Sequence, residues 1–188
     1  MNTTSILLHC CCAPCASLAL EMLSPTHDIT MLFYNPNIRP KEEFDKRSLQ
    51  LHKLLYSVQY PNKVKAQIYE YDSEAFSKAA EQFSGEPEGG MRCRECFRIR
   101  LEKTASLAKS QQYDYFATAL TVSPHKNAVL INEIGNEISR QIGVEYFASD
   151  FKKQNGYNRS VELSKLYGLY RQNYCGCGLP CSQKGVID

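Results

Sequence analysis

The sequence has 188 residues, of which 43% are hydrophobic and 22% charged, and its net charge is +2. This composition is typical of one soluble globular domain and excludes disordered and fibrous proteins. Residues 1–4 are polar and no apolar run is long enough for a signal peptide or a membrane span, so we expect a cytoplasmic protein. In a reducing compartment, nine cysteines are better explained as metal ligands or redox groups than as disulfide partners.

Segments typical of strands and of helices alternate along the chain. The predicted strands are 5–8, 28–34, 66–71, 113–120 and 144–147, and the predicted helices are 16–23, 41–55, 75–83, about 91–110, 128–142 and 161–170. This order predicts an α/β fold, a mostly parallel sheet with helices on both faces. We expect a single domain, 1–188, with a Cys-rich C-terminal segment.

The loops that follow four of these strands are predicted to lie at one edge of the sheet. Parallel strands end at the same edge, which is where α/β sheets bind their ligands. The four loops are residues 10–15 and the segments that begin at Asn35, Ser123 and Asp150. We therefore search this edge for functional residues.

The cysteines fall into three groups. They are Cys10, Cys11, Cys12 and Cys15; Cys93 and Cys96; and Cys175, Cys177 and Cys181. A C-x-x-C pair at the start of a helix is a natural chelate, because its side chains share a face and the helix N-terminus favours thiolate. Adjacent Cys11 and Cys12 are poorly suited to one ion but can bind two atoms of a cluster. Thiolate-rich sites favour zinc or iron–sulfur.

Three interpretations remain open at this point. An iron–sulfur cluster with nearby redox thiols would use most of the cysteines, whereas a closed zinc site would use four. Basic residues interleaved with tyrosines after Phe151 suit RNA, so zinc would indicate a zinc-stabilised RNA-binding module. Cys12-Ala13-Pro14-Cys15 between a strand and a helix also matches thioredoxin, which would indicate a general dithiol oxidoreductase.

Six segments, spread in order over nearly the whole chain, carry a family resemblance. They are HCCCAPC (9–15), FYNPNI (33–38), EPEGGMRCRECF (86–97), TALTVSPHKN (118–127), DFKK (150–153) and YRQNYCGC (170–177). This pattern resembles the QueH family of cobalamin-independent epoxyqueuosine reductases. The resemblance implies a HUP-like α/β domain related to PP-loop folds, with a [4Fe–4S] cluster and an adjacent metal ion, expected to be iron.

The resemblance also implies a reaction and its partners. The family removes the epoxide oxygen of epoxyqueuosine, at the wobble position of tRNA, to give queuosine. We therefore expect a tRNA with a GUN-type anticodon as substrate, an external electron donor, no membrane association and a monomer.

The same resemblance assigns roles to the cysteines. The expected cluster ligands are Cys11, Cys12, Cys93 and Cys96. Cys175 and Cys177 match the YCGC pair, as ligands of the second metal or as a redox dithiol. Cys15 lies where some members carry an aspartate, so we expect it to contact that metal. Cys10 and Cys181 are expected to be spectators.

Further residues are candidates for proton transfer and substrate binding. His125 and His9 are candidate proton donors. The predicted substrate-binding residues are Asn35, Asn37, Ser123, Lys126, Lys152, Lys153, Tyr170 and Arg171. The asparagines would meet base or diol edges, although asparagine beside proline often only forms a turn. Ser123 and Lys126 would hold phosphate or ribose. Lys152, Lys153, Tyr170 and Arg171 would contact the anticodon loop.

Overall fold

A computed structural model describes residues 3–178, and its centre is a five-stranded sheet. The strands are β1 (Thr4–His9), β2 (His27–Phe33), β3 (Val64–Ile68), β4 (Tyr115–Thr118) and β5 (Glu145–Tyr146). Their order is β3-β2-β1-β4-β5 and every pair is parallel. The predicted parallel α/β fold is confirmed. Because β1 lies between β2 and β4, the strand order reverses beside it, and such a switch point is where these sheets bind ligands.

Helices cover both faces of the sheet. They are α1 (Ala13–Leu23), α2 (Lys41–Ser57), α3 (Glu74–Gln82), α4 (Met91–Ser110), α5 (Ala128–Ile142) and α6 (Gly156–Leu166). Ile6 and Leu8 of β1 pack with α1, α2 and α6, whereas Leu7 packs with α4 and α5, as the alternation of side chains along a strand requires. Within residues 3–178, no helix has both the length and the apolar character of a membrane span.

The structure differs from the predicted elements after β4 and before α6. The predicted strand 113–120 ends at Thr118, where the hydroxyl accepts a hydrogen bond from the Leu120 amide at 3.1 Å and a 3₁₀ turn begins. The last helix begins at Gly156, earlier than predicted. A Cβ at Gly156 would lie 1.8 Å from the carbonyl oxygen of Phe151, so this approach of loop and helix requires glycine.

The contact between α5 and β5 gives a test of the packing. A Cβ at Gly135 would lie 2.4 Å from the ring of Tyr146, which is itself packed against Phe116 with ring centroids 5.0 Å apart. We expect Gly135→Ala to lower the free energy of unfolding, because overpacking costs about 1–3 kcal/mol and alanine regains at most about 1 kcal/mol in a helix. Urea titration followed by circular dichroism measures the change.

Gly85→Ala is the matched control, because a Cβ at Gly85 meets no atom within 4 Å. We expect its free energy of unfolding to change by no more than about 0.5 kcal/mol. Equal stability of the two variants would contradict the packing described for Gly135.

Candidate metal–thiolate site

The turn formed by residues 10–15 carries four cysteines from the end of β1 into the start of α1. The amide of Cys10 still donates to the carbonyl of Leu32 at 2.8 Å, and Cys12 is the N-cap of α1. Pro14 lies in the first helical turn, where its missing amide leaves no hydrogen bond unmade. The turn therefore presents Cys12 and Cys15 at the N-terminus of α1, whose dipole attracts negative charge.

Three of these thiols converge. The sulfur atoms of Cys11, Cys12 and Cys15 all lie within 4.8 Å of one another, and those of Cys11 and Cys12 are 3.8 Å apart. The Cys10 thiol instead donates to the carbonyl of Leu8 at 3.4 Å and packs in the core on the opposite face of the sheet. Burial raises the pKa of Cys10. The turn thus offers three clustered sulfur ligands and one core thiol.

The start of α4 carries the second C-x-x-C pair. The amide of Gly89 donates to the sulfur of Cys93 at 3.2 Å. Gly89 has φ of 88°, a left-handed conformation that favours glycine, so the Gly-Gly sequence before α4 shapes the approach to this thiol. One turn further on, the buried sulfur of Cys96 accepts a hydrogen bond from Nη2 of Arg100 at 3.1 Å.

The C-terminal cysteine turn, residues 175–177, lies against the second pair. Cys96 and Cys177 are buried in one cluster, and Cys175 packs against it. The amide of Arg39 donates to the carbonyl of Gly176 at 2.7 Å, which holds the turn against the loop after β2. Cys181 lies outside the described residues.

Two cations act on thiols from all three groups. Hydrogen bonds with Cys12 and Cys15 lower the pKa of Cys11 well below its usual range, and Lys126 and Arg100 lower it further. A hydrogen bond with Cys177 and the same two cations lower the pKa of Cys175 to about 5. Burial raises the pKa of Cys96 to about 11 against the pull of Arg100 and Lys126. Hydrogen bonding with Cys11 raises the pKa values of Cys12, to about 11, and of Cys15. The three groups therefore share two nearby cations, which favour a thiolate at Cys11 and at Cys175.

The two candidate histidines differ sharply in exposure. His9 is fully buried, with Nε2 3.2 Å from the carbonyl oxygen of Tyr34 and Nδ1 3.0 Å from the hydroxyl of Thr118. Since a carbonyl can only accept, Nε2 carries the proton and Thr118 donates to Nδ1. Burial lowers the pKa of His9 to about 3, so it stays neutral, which argues against it as a proton donor. His125 is exposed in the loop after β4.

The two asparagines of the loop after β2 are buried. Asn35 is 1% exposed and Asn37 is 6% exposed. Nδ2 of Asn35 donates to the carbonyl of Cys10 at 2.9 Å and so ties this loop to the cysteine turn. The predicted contact of these side chains with substrate stays a prediction, and Asn35 has a structural role that explains its burial.

The loops after β4 and β5 meet at the same edge as the cysteines. Nζ of Lys152 donates to the carbonyl of Lys126 at 3.0 Å and lies 3.3 Å from Asp150. Ser123 and Lys126 are half-buried, whereas the side chain of Lys153 is 76% exposed. Lys152 therefore contacts Lys126, which interacts electrostatically with Cys11, Cys15 and Cys175, and the binding of phosphate by these loops stays a prediction.

Tyr170 and Arg171 hold the C-terminal segment to the helices. The hydroxyl of Tyr170 donates to Glu43 at 3.3 Å, and Nζ of Lys46 lies 3.4 Å from the centre of its ring. Arg171 donates to two serine hydroxyls of α6, both at 3.4 Å. Both residues are half-buried, so contact with RNA would involve only their exposed parts.

Sequence reasoning missed three buried arginines, of which Arg47 and Arg100 interact electrostatically with the cysteines. Arg47 on α2 is 4% exposed and Arg100 on α4 is 2% exposed. The helical spacing carried a signal for both: Arg100 lies four residues after Cys96, and Arg47 lies between Phe44 and Leu51 on the apolar face of α2.

Comparison with known proteins gives a consistent family. The family model described as "Epoxyqueuosine reductase QueH" matches residues 6–182. Relatives named Epoxyqueuosine reductase QueH include those of Streptococcus pyogenes serotype M1, 43% identical over 97% of this chain and 72% of that protein, and of Staphylococcus epidermidis, 43% identical over 96% of this chain and 78% of that protein. The relative from Thermotoga maritima is 36% identical over 92% of this chain and 88% of its own length.

A solved structure supports the fold alone. The crystal structure titled as a predicted subunit of tRNA methyltransferase from Methanocaldococcus jannaschii is similar with a TM-score of 0.50 and 13% identity, over 86% of this chain and 74% of that one. The family assignment rests on the sequence matches, which cover most of the chain at up to 43% identity. The chain belongs to the epoxyqueuosine reductase QueH family.

Proposed function

We propose that this chain reduces the epoxide of epoxyqueuosine in tRNA at an iron–sulfur centre bound by its converging cysteines. Family membership supplies the reaction. The observation that carries the proposal for the centre is the cluster of Cys11, Cys12 and Cys15, whose sulfur atoms lie within 4.8 Å of one another at the switch point of the sheet.

The donor set fits a [4Fe–4S] cluster. Such clusters are bound by thiolates, and we assign the ligands to Cys11, Cys12, Cys93 and Cys96. The low pKa of Cys11 supports binding as thiolate. Arg100 donates to the sulfur of Cys96, the kind of hydrogen bond that tunes a cluster's potential.

The remaining thiols fit a second metal ion, which we propose to be iron. Cys15 belongs to the close group of three sulfur atoms, and Cys175 has its pKa lowered to about 5 by its hydrogen bond with Cys177 and by nearby cations. We assign Cys15, Cys175 and Cys177 to this ion, with a redox dithiol at Cys175 and Cys177 as the alternative role. Both roles require these thiols to lose their protons, which metal binding and the nearby cations Lys126 and Arg100 favour.

The chain's own residues would bind the nucleotide, exclude water and supply protons. Conversion of an epoxide to an alkene and water consumes two electrons and two protons. When bound, the cluster supplies single electrons at low potential and the second ion supplies a Lewis acid. An external electron donor must replace the two electrons that the reaction consumes. We propose exposed His125 as the proton donor at its imidazole nitrogen, because buried His9 stays neutral.

We propose that a tRNA with a GUN-type anticodon approaches the edge that carries the thiols. Ser123, Lys126, Lys152 and Lys153 would bind phosphate or ribose there, with Tyr170 and Arg171 beside the anticodon loop. Lysine contacts with phosphate make such binding sensitive to salt. We also propose a cytoplasmic monomer. Seven of the described cysteines (Cys10, Cys11, Cys12, Cys15, Cys93, Cys96 and Cys175) are free thiols, which suits a reducing compartment.

The ligand assignment is tested by removing one proposed ligand and one core thiol. We expect anaerobically purified Cys93→Ala to lose most of its iron and acid-labile sulfide, together with conversion of epoxyqueuosine-containing tRNA to queuosine by mass spectrometry. Cys10→Ala, the control, should keep its iron, because the Cys10 thiol packs in the core. Equal iron in both variants would remove Cys93 from the ligand set. A colourless wild-type protein with stoichiometric zinc would instead support the zinc-stabilised RNA-binding module.

The proposed RNA surface is tested by the salt dependence of binding. Because the side chain of Lys153 is 76% exposed on the loop after β5, Lys153→Ala should weaken tRNA binding and reduce the slope of log affinity against log salt by about 1. Lys63→Ala is the control, since Lys63 is exposed just before β3, at the opposite edge of the sheet. A slope that falls equally in both variants, or in neither, would contradict the proposed surface.

A further inference from the structure

Arg47 is a buried cation whose hydrogen bonds are only partly satisfied. Its side chain is 4% exposed, and Nε donates to Oε1 of Glu43 at 2.7 Å. Nη2 is buried and has no hydrogen-bond partner among residues 3–178. A buried charged donor without a partner is costly, so this nitrogen points to an acceptor that residues 3–178 do not provide.

The guanidinium lies between two groups of cysteines. A Cβ at Gly176 would lie 3.2 Å from Nη1 and 3.3 Å from Nη2, so Arg47 packs directly against the C-terminal cysteine turn. Burial opposes the charge of Arg47, but Glu43 and the thiols of Cys11 and Cys12 outweigh burial and raise its pKa. Arg47 therefore connects the turn after β1 electrostatically with the turn at 175–177.

The position of the guanidinium is fixed from several sides. Glu43, which is 8% exposed, accepts the Arg47 Nε–H and also a hydrogen bond from the hydroxyl of Tyr170 at 3.3 Å. The ring of Tyr174 lies with its centre 5.6 Å from Cζ of Arg47. Because Glu43 and two tyrosines surround the group, Nη2 is preorganised rather than free to turn toward water.

We infer that Arg47 is a positioning residue of the metal–thiolate centre, holding the C-terminal cysteine turn beside Cys11 and Cys12 and donating from Nη2 to a sulfur atom of the bound centre. This inference rests on the proposed iron–sulfur function. Reduction adds negative charge to an already anionic thiolate centre, and a buried cation stabilises that charge. Arg47 therefore favours the reduced state and raises the midpoint potential.

The test is a redox titration of the loaded, anaerobically purified protein, followed by visible absorption and electron paramagnetic resonance. We expect Arg47→Gln to shift the midpoint potential to a more negative value, because the cation is lost. Arg47→Lys keeps the charge but loses the fork of donors, so its potential should lie between those of Arg47→Gln and the wild type. Lys41→Gln is the matched control on the same helix and should leave the potential unchanged, because Lys41 is 60% exposed.

The possible outcomes separate this inference from the function on which it rests. A fully loaded Arg47→Gln with the wild-type potential overturns the role of Arg47. If Arg47→Gln does not fold or does not bind iron, the Gly176→Ala variant tests the inference instead. Its added Cβ would displace the Arg47 guanidinium while leaving the positive charge of Arg47 in place. Its spectrum and potential should then differ from the wild type, and identity of both overturns the inference. A wild-type protein that binds no iron removes the proposed function and this inference together.

Discussion

The attraction between the clustered cysteine sulfurs and the cations around them is the constraint on which the rest of this structure depends. Three sulfur atoms within 4.8 Å of one another repel when ionised, so the pKa of Cys11 is lowered while those of Cys12 and Cys15 are raised, and the negative charge of the group must be balanced. Arg47, Arg100 and Lys126 supply that balance from three different elements, α2, α4 and the loop after β4. A bound metal ion would balance more of this negative charge, because metal ions bind the deprotonated thiol.

The parallel sheet brings these charges together. Loops that are far apart in sequence follow neighbouring strands at one edge of the sheet, and hydrogen bonds connect these loops to one another. Asn35 donates to the carbonyl of Cys10, and Lys152 donates to the carbonyl of Lys126. The cysteine turn leaves β1 where the strand order switches, which is the position at which parallel α/β sheets bind their ligands. The fold thus fixes the location of the site, and the cysteines fix its chemistry.

Much of this arrangement could be predicted from the sequence, because alternating strand and helix patterns and the grouping of cysteines are local signals. The remainder depends on contacts between distant segments. Helical spacing places Arg47 on the apolar face of α2 and Arg100 one turn after Cys96, but their proximity to Cys11 depends on segments that are far apart in the chain. The apolar run after Thr118 continues the strand pattern, yet a hydroxyl–amide contact turns the backbone into a 3₁₀ helix there. Helix α6 begins at Gly156 because only glycine fits against the carbonyl oxygen of Phe151. This close contact between two backbone segments cannot be predicted from the pattern of residue types.

The central claim is that sulfur atoms from separate segments bind iron at one position. A crystal structure of the anaerobically prepared protein, with anomalous difference density measured across the iron absorption edge, tests this directly. The account predicts iron peaks adjacent to the sulfur atoms of Cys11, Cys12, Cys93 and Cys96, beside the guanidinium of Arg100. Absence of iron from a correctly folded crystal, or iron bound away from these four sulfur atoms, would contradict it.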